Sequence, residues 1–163
     1  MAQEEKAAKR RASVSPWPFD RHQYSIRLRS RIPSNKPALN LAVEQALKVA
    51  DQCCDKDDLR TDLEIALREA LANAMIHGNS YGQGKRIFVR CYASPSSGIL
   101  IIVRDQGKGF DPAEIPDPRD AERKHLQHGR GLFLMRELMD HVEYRKGGSE
   151  VVIYKAFKKR KPD

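Results

Sequence analysis

Glu69 and Asn73 stand one helical turn apart in the run Glu69-Ala-Leu-Ala-Asn73. With Glu69 at zero on a wheel stepping about 100° per residue, Asn73 falls at about 40°, His77 at about 80° and Asp62 at about 20°. Leu63, Leu67, Ala70, Leu71 and Ala74 fill about 100–200°, and Ile65 and Ile76 fall at about 320–340°. Thr61, Glu64, Arg68 and Ala72 mark the solvent side at about 220–300°. The polar pair therefore sits between two apolar flanks, roughly opposite solvent. Polar groups on such a face must be paired, hydrated or bound. Two readings are open. One is a structural hydrogen bond between neighbours. The other is a site in which the amide oxygen is a hard ligand for Mg²⁺ and the carboxylate is a base.

A second signal is Asp105-Gln106-Gly107-Lys108-Gly109-Phe110, directly after the apolar run Ile99-Leu100-Ile101-Ile102-Val103. A carboxylate at a strand's end can accept a hydrogen bond from an exocyclic amine. Glycines let backbone approach a planar ligand with no Cβ in the way. Taken alone, such a run also describes an ordinary Asp-Gly turn. A third signal is Gly129-Arg130-Gly131-Leu132-Phe133-Leu134-Met135, two glycines opening an apolar helix. A helix N-terminus offers free N–H groups and a favourable dipole to phosphate, and Arg130 adds charge. The plain alternative is a loop-to-helix junction with no ligand. Neither a dinucleotide-binding G-x-G-x-x-G after a strand nor a Walker A loop occurs.

These residues need a scaffold. Tyr24–Ile32 alternates apolar and polar and predicts a strand, ended by Pro33 and Ser34. Ala38–Cys54 is helical, with Leu39, Ala42, Val43, Ala46, Leu47 and Ala50 on one stripe. A second helix, capped by Asp57 or Asp58, runs to about His77. Gly78, Gly82 and Gly84 mark a loop. Strands at Lys85–Ala93 and Ile99–Arg104 flank a Pro95–Gly98 turn. Residues 105–129 read as a long irregular segment and Gly131–His141 as a short helix. Val142–Arg145 and Val151–Phe157 form a closing hairpin around Gly147-Gly148. Helices alternate with strands only at the start, and later strands come in hairpins. The expected fold is an α+β two-layer sandwich, a mixed sheet with helices on one face.

A chain of 163 residues is one domain's worth and can bury a core without staples. No run of about 18 apolar residues is present, so a transmembrane helix is not expected. The charged, Ala-rich start from Met1 to Arg11 lacks the apolar stretch of a secretory signal. Three cysteines, two of them adjacent at Cys53 and Cys54, make no disulfide framework and match no zinc spacing. A reducing cytoplasm fits best. The net charge is +8, and its distribution is uneven. Residues 1–31 carry eight basic and three acidic residues, 155–163 carry five and one, and 32–154 carry 17 and 18. The basicity therefore reads as belonging to the ends, residues 1–22 as a basic leader and 158–163 as a basic tail, with the domain at 23–157. Direct nucleic-acid or membrane binding is not expected of the domain.

The order and spacing of the three signals resembles the GHKL ATPase superfamily of gyrase, heat-shock chaperones and histidine kinases. Within it the chain resembles the anti-sigma factor serine/threonine kinases over Gln23 to Lys155. Glu69 to Asn79 looks like that family's N box, Asp105 to Gly109 like its first glycine box, and Gly129 to Met135 like its second. The resemblance implies a Bergerat-type fold binding ATP and Mg²⁺. Asn73 would hold Mg²⁺, Asp105 the adenine amino group, and Gly107 and Gly109 would line the base. Residues 111–128 would be a lid. Gly129, Arg130, Gly131 and Leu132 would meet the phosphates, with His77 beside the nucleotide. Ser149 stands where relatives often have a threonine near adenine. Glu69 would be the base acting on a serine of an anti-anti-sigma partner, with a sigma factor as a further partner and a homodimer as one allowed arrangement. A non-catalytic, nucleotide-dependent module that sequesters a regulator is the alternative the motifs leave open, since fold does not settle chemistry.

Overall fold

Asn35 starts the first helix. Its extended backbone (φ −144°) lets the side-chain Oδ1 accept from the N–H of Ala38 at 3.0 Å, and Pro37 occupies the first turn. Both features favour a helix start, because the cap satisfies an orphan N–H and proline lacks one. The computed structural model describes residues 21–54, 57–111 and 130–157. Residues 1–20 of the expected leader, the tail 158–163 and the expected lid residues 112–128 lie outside these.

Strand β1 (Ile26–Pro33) leads to helices α1 (Lys36–Asp51) and α2 (Asp57–Asn73). Strands β2 (Arg86–Ser94) and β3 (Gly98–Arg104) form a hairpin. Helix α3 (Arg130–Leu138) precedes the hairpin of β4 (His141–Arg145) and β5 (Glu150–Lys155). The sheet order is β1-β2-β3-β5-β4, and every pairing is antiparallel.

The α+β layering agrees with the expectation, but the expected mixed sheet is corrected to an antiparallel one. Two helices lie between β1 and β2, so the chain reverses one extra time and returns antiparallel. Among the described residues one helix lies between β3 and β4, which run the same way. Strand β5 inserts between them, so they never pair.

The helices cover one face of the sheet. Leu63, Leu67 and Leu71 of α2, Val43 and Ala46 of α1 and Met135 of α3 pack on Ile87, Val89, Ile101, Val103 and Ile153, each at most 1% exposed. Each large side chain so buried contributes about 1.5–3 kcal/mol. A smaller apolar cluster of Tyr24, Tyr92, Leu100, Ile102 and Val152 lies on the opposite face. Among the described residues no helix is long and apolar enough to cross a membrane.

Lys155 ties the helices together at the end of β5. Its ammonium donates to the Leu138 carbonyl at the C-terminus of α3 and lies 3.3 Å from Asp62 Oδ2 on α2. A cation at a helix C-terminus also meets the negative end of the dipole. Replacing Lys155 by Met should lower stability by about 1–2 kcal/mol, since the pair is partly solvated. Urea unfolding would show a lower midpoint at unchanged slope. An unchanged midpoint would show that the bridge contributes nothing.

Candidate functional site

The polar end of α2 does not stop as a regular helix. Residues Ala74–Gly78 widen into a π-turn, closed by Asn79 N–H donating to the Ala74 carbonyl at 2.7 Å. Such widened turns are rare and concentrate at functional sites. The turn also departs from the 100° step used on the wheel. His77 therefore lies exposed and is not among the residues lining the neighbouring cleft.

Asn79, fully buried, fixes the chain beyond the turn. Its Oδ1 accepts from the Gln106 N–H at 2.9 Å, and its Nδ2 donates to the Arg86 carbonyl at 3.1 Å. Gln106 Oε1 in turn accepts from the Arg86 N–H at 2.6 Å. One amide thus joins the end of α2, the start of β2 and the loop after β3.

Asp105 is 8% exposed at the end of β3. Its backbone N–H donates to the Ser149 carbonyl at 3.0 Å, and its Oδ1 accepts from the Gly107 N–H at 2.7 Å. Burial pushes its carboxyl above the ordinary range, opposed by the Gly107 N–H and by the charges of Lys85 and Arg104. Gly78 lies against this carboxylate so closely that a Cβ would overlap Asp105, and a Cβ on Gly107 would strike the Gly78 carbonyl. Gly109 has φ +80°, its Cβ position is filled by the Gly147 carbonyl, and Phe110 N–H donates to that carbonyl at 2.8 Å. The first glycine box and the β4–β5 turn thus meet backbone to backbone.

A shallow cleft opens above these residues. Asn73, Gly78, Asp105, Tyr144, Gly148 and Ser149 line it, with Phe110 at one wall. Glu69 and Asn73 adjoin Gly131 on α3, where an added Cβ would overlap Glu69 Oε2 and come within 3.7 Å of Asn73 Nδ2. The first turn of α3 therefore stands over the polar pair, its N-terminal end carrying the positive end of the helix dipole. Arg130 is exposed at the first position of that helix, whereas Leu132 is buried in the core, so only its backbone is available to a ligand. Gly129 lies outside the described residues. The Ser149 hydroxyl donates to the Lys146 carbonyl at 3.0 Å, a bond internal to its turn.

Tyr144 belongs to the site and lies in none of the sequence motifs. Burial raises its hydroxyl to about 12, while a hydrogen bond from the Asn73 amide and the charge of Arg136 oppose the shift. Its ring meets Phe110 edge-on, 4.9 Å between centroids at 67°. The available signal was strand alternation: Val142 and Tyr144 share the inward face of β4.

Three kinds of group thus converge: a buried carboxylate at the cleft floor, a carboxamide held by a phenol, and a carboxylate under a helix N-terminus. The family model for the histidine kinase-like ATPase domain matches residues 32–155. The chain is 30% identical over 117 residues to the serine-protein kinase RsbW of Staphylococcus epidermidis, covering 63% of this chain and 69% of that protein. It is 32% identical over 88 residues to the anti-sigma F factor of Heyndrickxia coagulans, covering 53% and 60%. The anti-sigma F factor of Clostridium acetobutylicum is 32% identical over 101 residues, 59% and 69%.

The raised Asp105 pKa has a testable sign. Protonation favours the folded state, so this contribution is full below the ordinary aspartate value of about 3.9 and is lost as pH rises through the raised value. Asp105→Asn keeps an acceptor for Gly107 and carries no charge. Its stability relative to the wild type should therefore increase with pH from the acidic range to neutrality. Thermal melts of both proteins across that range check it, and a gap that stays flat or shrinks would contradict the burial argument.

Proposed function

The chain belongs to the histidine kinase-like ATPase domain family, alongside serine-protein kinases and anti-sigma factors, and from that premise we propose an ATP-dependent serine/threonine protein kinase. Residues 23–157 form the working unit in this reading, and it acts in the cytoplasm. Its substrate is a serine on an anti-anti-sigma partner. Phosphorylation of that serine changes which regulator the chain holds and so controls transcription by partner switching.

One observation carries the reading. Asn73 and Asp105 line a single cleft, and Glu69 lies beside Asn73 beneath the first turn of α3. Asp105 would accept from the adenine amino group at the buried end. Gly78 lines the cleft, and the missing side chains of Gly78, Gly107 and Gly109 let protein atoms close in around the place the base would take. The N-terminal end of α3, with Arg130 and Gly131, would meet phosphate oxygens.

The donor set also fits Mg²⁺. Among the described residues no cluster of three or more His, Cys, Asp or Glu gathers. Mg²⁺ is commonly held by one or two protein oxygens together with substrate phosphates. Asn73 would supply the protein oxygen, and its bond to Tyr144 fixes how the amide is turned. Bound there, Mg²⁺ would neutralise charge on the phosphates during transfer.

Glu69 would accept the proton of the partner's serine hydroxyl. The serine oxygen then forms its bond to the terminal phosphorus as the bond to the departing ADP oxygen breaks. A carboxylate at this place, beside Asn73 and under the first turn of α3, is positioned to act as a base. The expected lid at 111–128 would close over the phosphates in this scheme, and all of it but Asp111 lies outside the described residues.

Two substitutions separate binding from transfer. Asp105→Asn should weaken nucleotide binding by about 1–3 kcal/mol, measured by calorimetry. Glu69→Gln should leave nucleotide affinity unchanged and slow transfer to a partner serine by about 10²–10⁴-fold, measured with labelled ATP. Transfer at the wild-type rate by Glu69→Gln would remove Glu69 as the base. A wild-type protein that binds nucleotide and partner yet never transfers phosphate would instead be a non-catalytic sequestering module.

A further inference from the structure

Strand alternation gathers arginines on the sheet face turned away from the helices. Ile26, Leu28 and Ile32 of β1 pack into the core, so Arg27, Arg29 and Arg31 point the other way. Ile87, Val89 and Cys91 of β2 do the same and turn Arg86 and Arg90 outward. Arg104 ends β3 exposed on that face. The register sets Arg29 opposite Arg90 and puts Phe88 between Arg31 and Arg104. Three of these arginines count toward the basic N-terminal stretch in the sequence. The fold moves them into the domain and joins them to three more.

Acidic residues on the same face are already engaged. Glu143 lies 3.1 Å from Arg145 and Glu150 lies 3.2 Å from Lys146. Arg29, Arg90 and Arg104 make no ion pair among the described residues. Arg29 and Arg90 stand directly opposite, and like charges so placed destabilise a sheet, so folding alone gives no reason for that pair; Arg104 stands between Phe88 and Glu150. A partner carrying carboxylates would relieve the repulsion and meet the planar forks of the guanidinium groups.

We infer that one end of this face, where Arg29 and Arg31 of β1, Arg90 of β2 and Arg104 of β3 stand beside the buried Tyr92, Leu100, Ile102 and Val152, is a docking surface for an acidic protein. A second copy is a poor occupant, because a two-fold contact would set arginine against arginine. Single-stranded nucleic acid is disfavoured too, since it needs open aromatic faces for stacking. Here Tyr92 is 2% exposed, and the Arg31 guanidinium covers the Phe88 ring at 5.6 Å from its centroid. The inference is independent of the kinase reading, for such a partner would dock whether or not phosphate is transferred.

Fluorescence anisotropy of the full chain with a short labelled polyglutamate peptide tests this. The wild type should bind with an affinity that falls as salt rises. Arg29→Glu with Arg90→Glu should weaken binding at least about tenfold, and Arg29→Lys with Arg90→Lys should retain most of it. An unchanged unfolding midpoint and nucleotide affinity would show that the reversed variant is folded. If it is not, Arg29→Gln with Arg90→Gln gives the same comparison. Equal binding by the variant would put the affinity in the basic ends and overturn the inference, as would absence of salt-sensitive binding. Tighter, arginine-dependent binding of a labelled single-stranded oligonucleotide would overturn the choice of a protein partner.

Discussion

Several glycines in this chain leave no room for a side chain, and three of them bear on the acidic groups of the cleft. Gly78 lies on the Asp105 carboxylate, Gly107 on the Gly78 carbonyl, and Gly131 on the Glu69 carboxylate. The contacts make a chain of their own: α2 leads to the loop after β3 through Gly78 and Gly107, and back to α3 through Gly131. Each is a steric demand rather than a bond, so substitution would push elements apart instead of removing one interaction. Glu69 and Asp105 keep their places because glycine backbone lies directly against their carboxylates.

Against this close packing stands the electrostatic cost of Asp105. Burial raises its pKa, and the strand end gives back part of the loss through the Gly107 N–H and nearby cations. A buried polar group that lowers stability yet remains half satisfied is what a binding surface looks like before its ligand arrives. The hydrogen bond between Tyr144 and Asn73 acts differently, tying together two side chains that both line the cleft. Stability and readiness are thus divided between the apolar face of α2 and its polar face.

Much of the fold was legible in the sequence. The period-3.6 stripe of Leu39 to Ala50 and the alternation in β1, β2 and β5 fix those elements within a few residues, since one face of each is buried. Strand direction was harder. The two helices between β1 and β2 were visible in the sequence, and counting reversals would have given the antiparallel pairing. The Glu69–Asn73 stripe stood out in the sequence because its polar residues interrupt an apolar pattern, and the structure leaves both half-buried. Tyr144 was not legible, because its partner lies 71 positions earlier and only folding brings them together. Nor was the exposure of His77, since a π-turn has no periodic signature. The arginines of β1 were counted with the N-terminal stretch because charge sums ignore which way a strand turns its side chains.

The π-turn at Ala74–Gly78 carries a consequence for how the chain can vary in length. It holds one residue more per turn than an ordinary helix, and Asn79 reaches both Gln106 and Arg86 only from its end. Losing one residue from the turn would rotate Asn79 by about 100° about the helix axis, and both of its bonds would break together. Loops such as the one at Gly82–Gly84 can absorb insertions and deletions, while this stretch cannot. Lineages of this chain would therefore be expected to drift in residue type around Asn79 but to hold the count of residues between Asn73 and Asn79 constant.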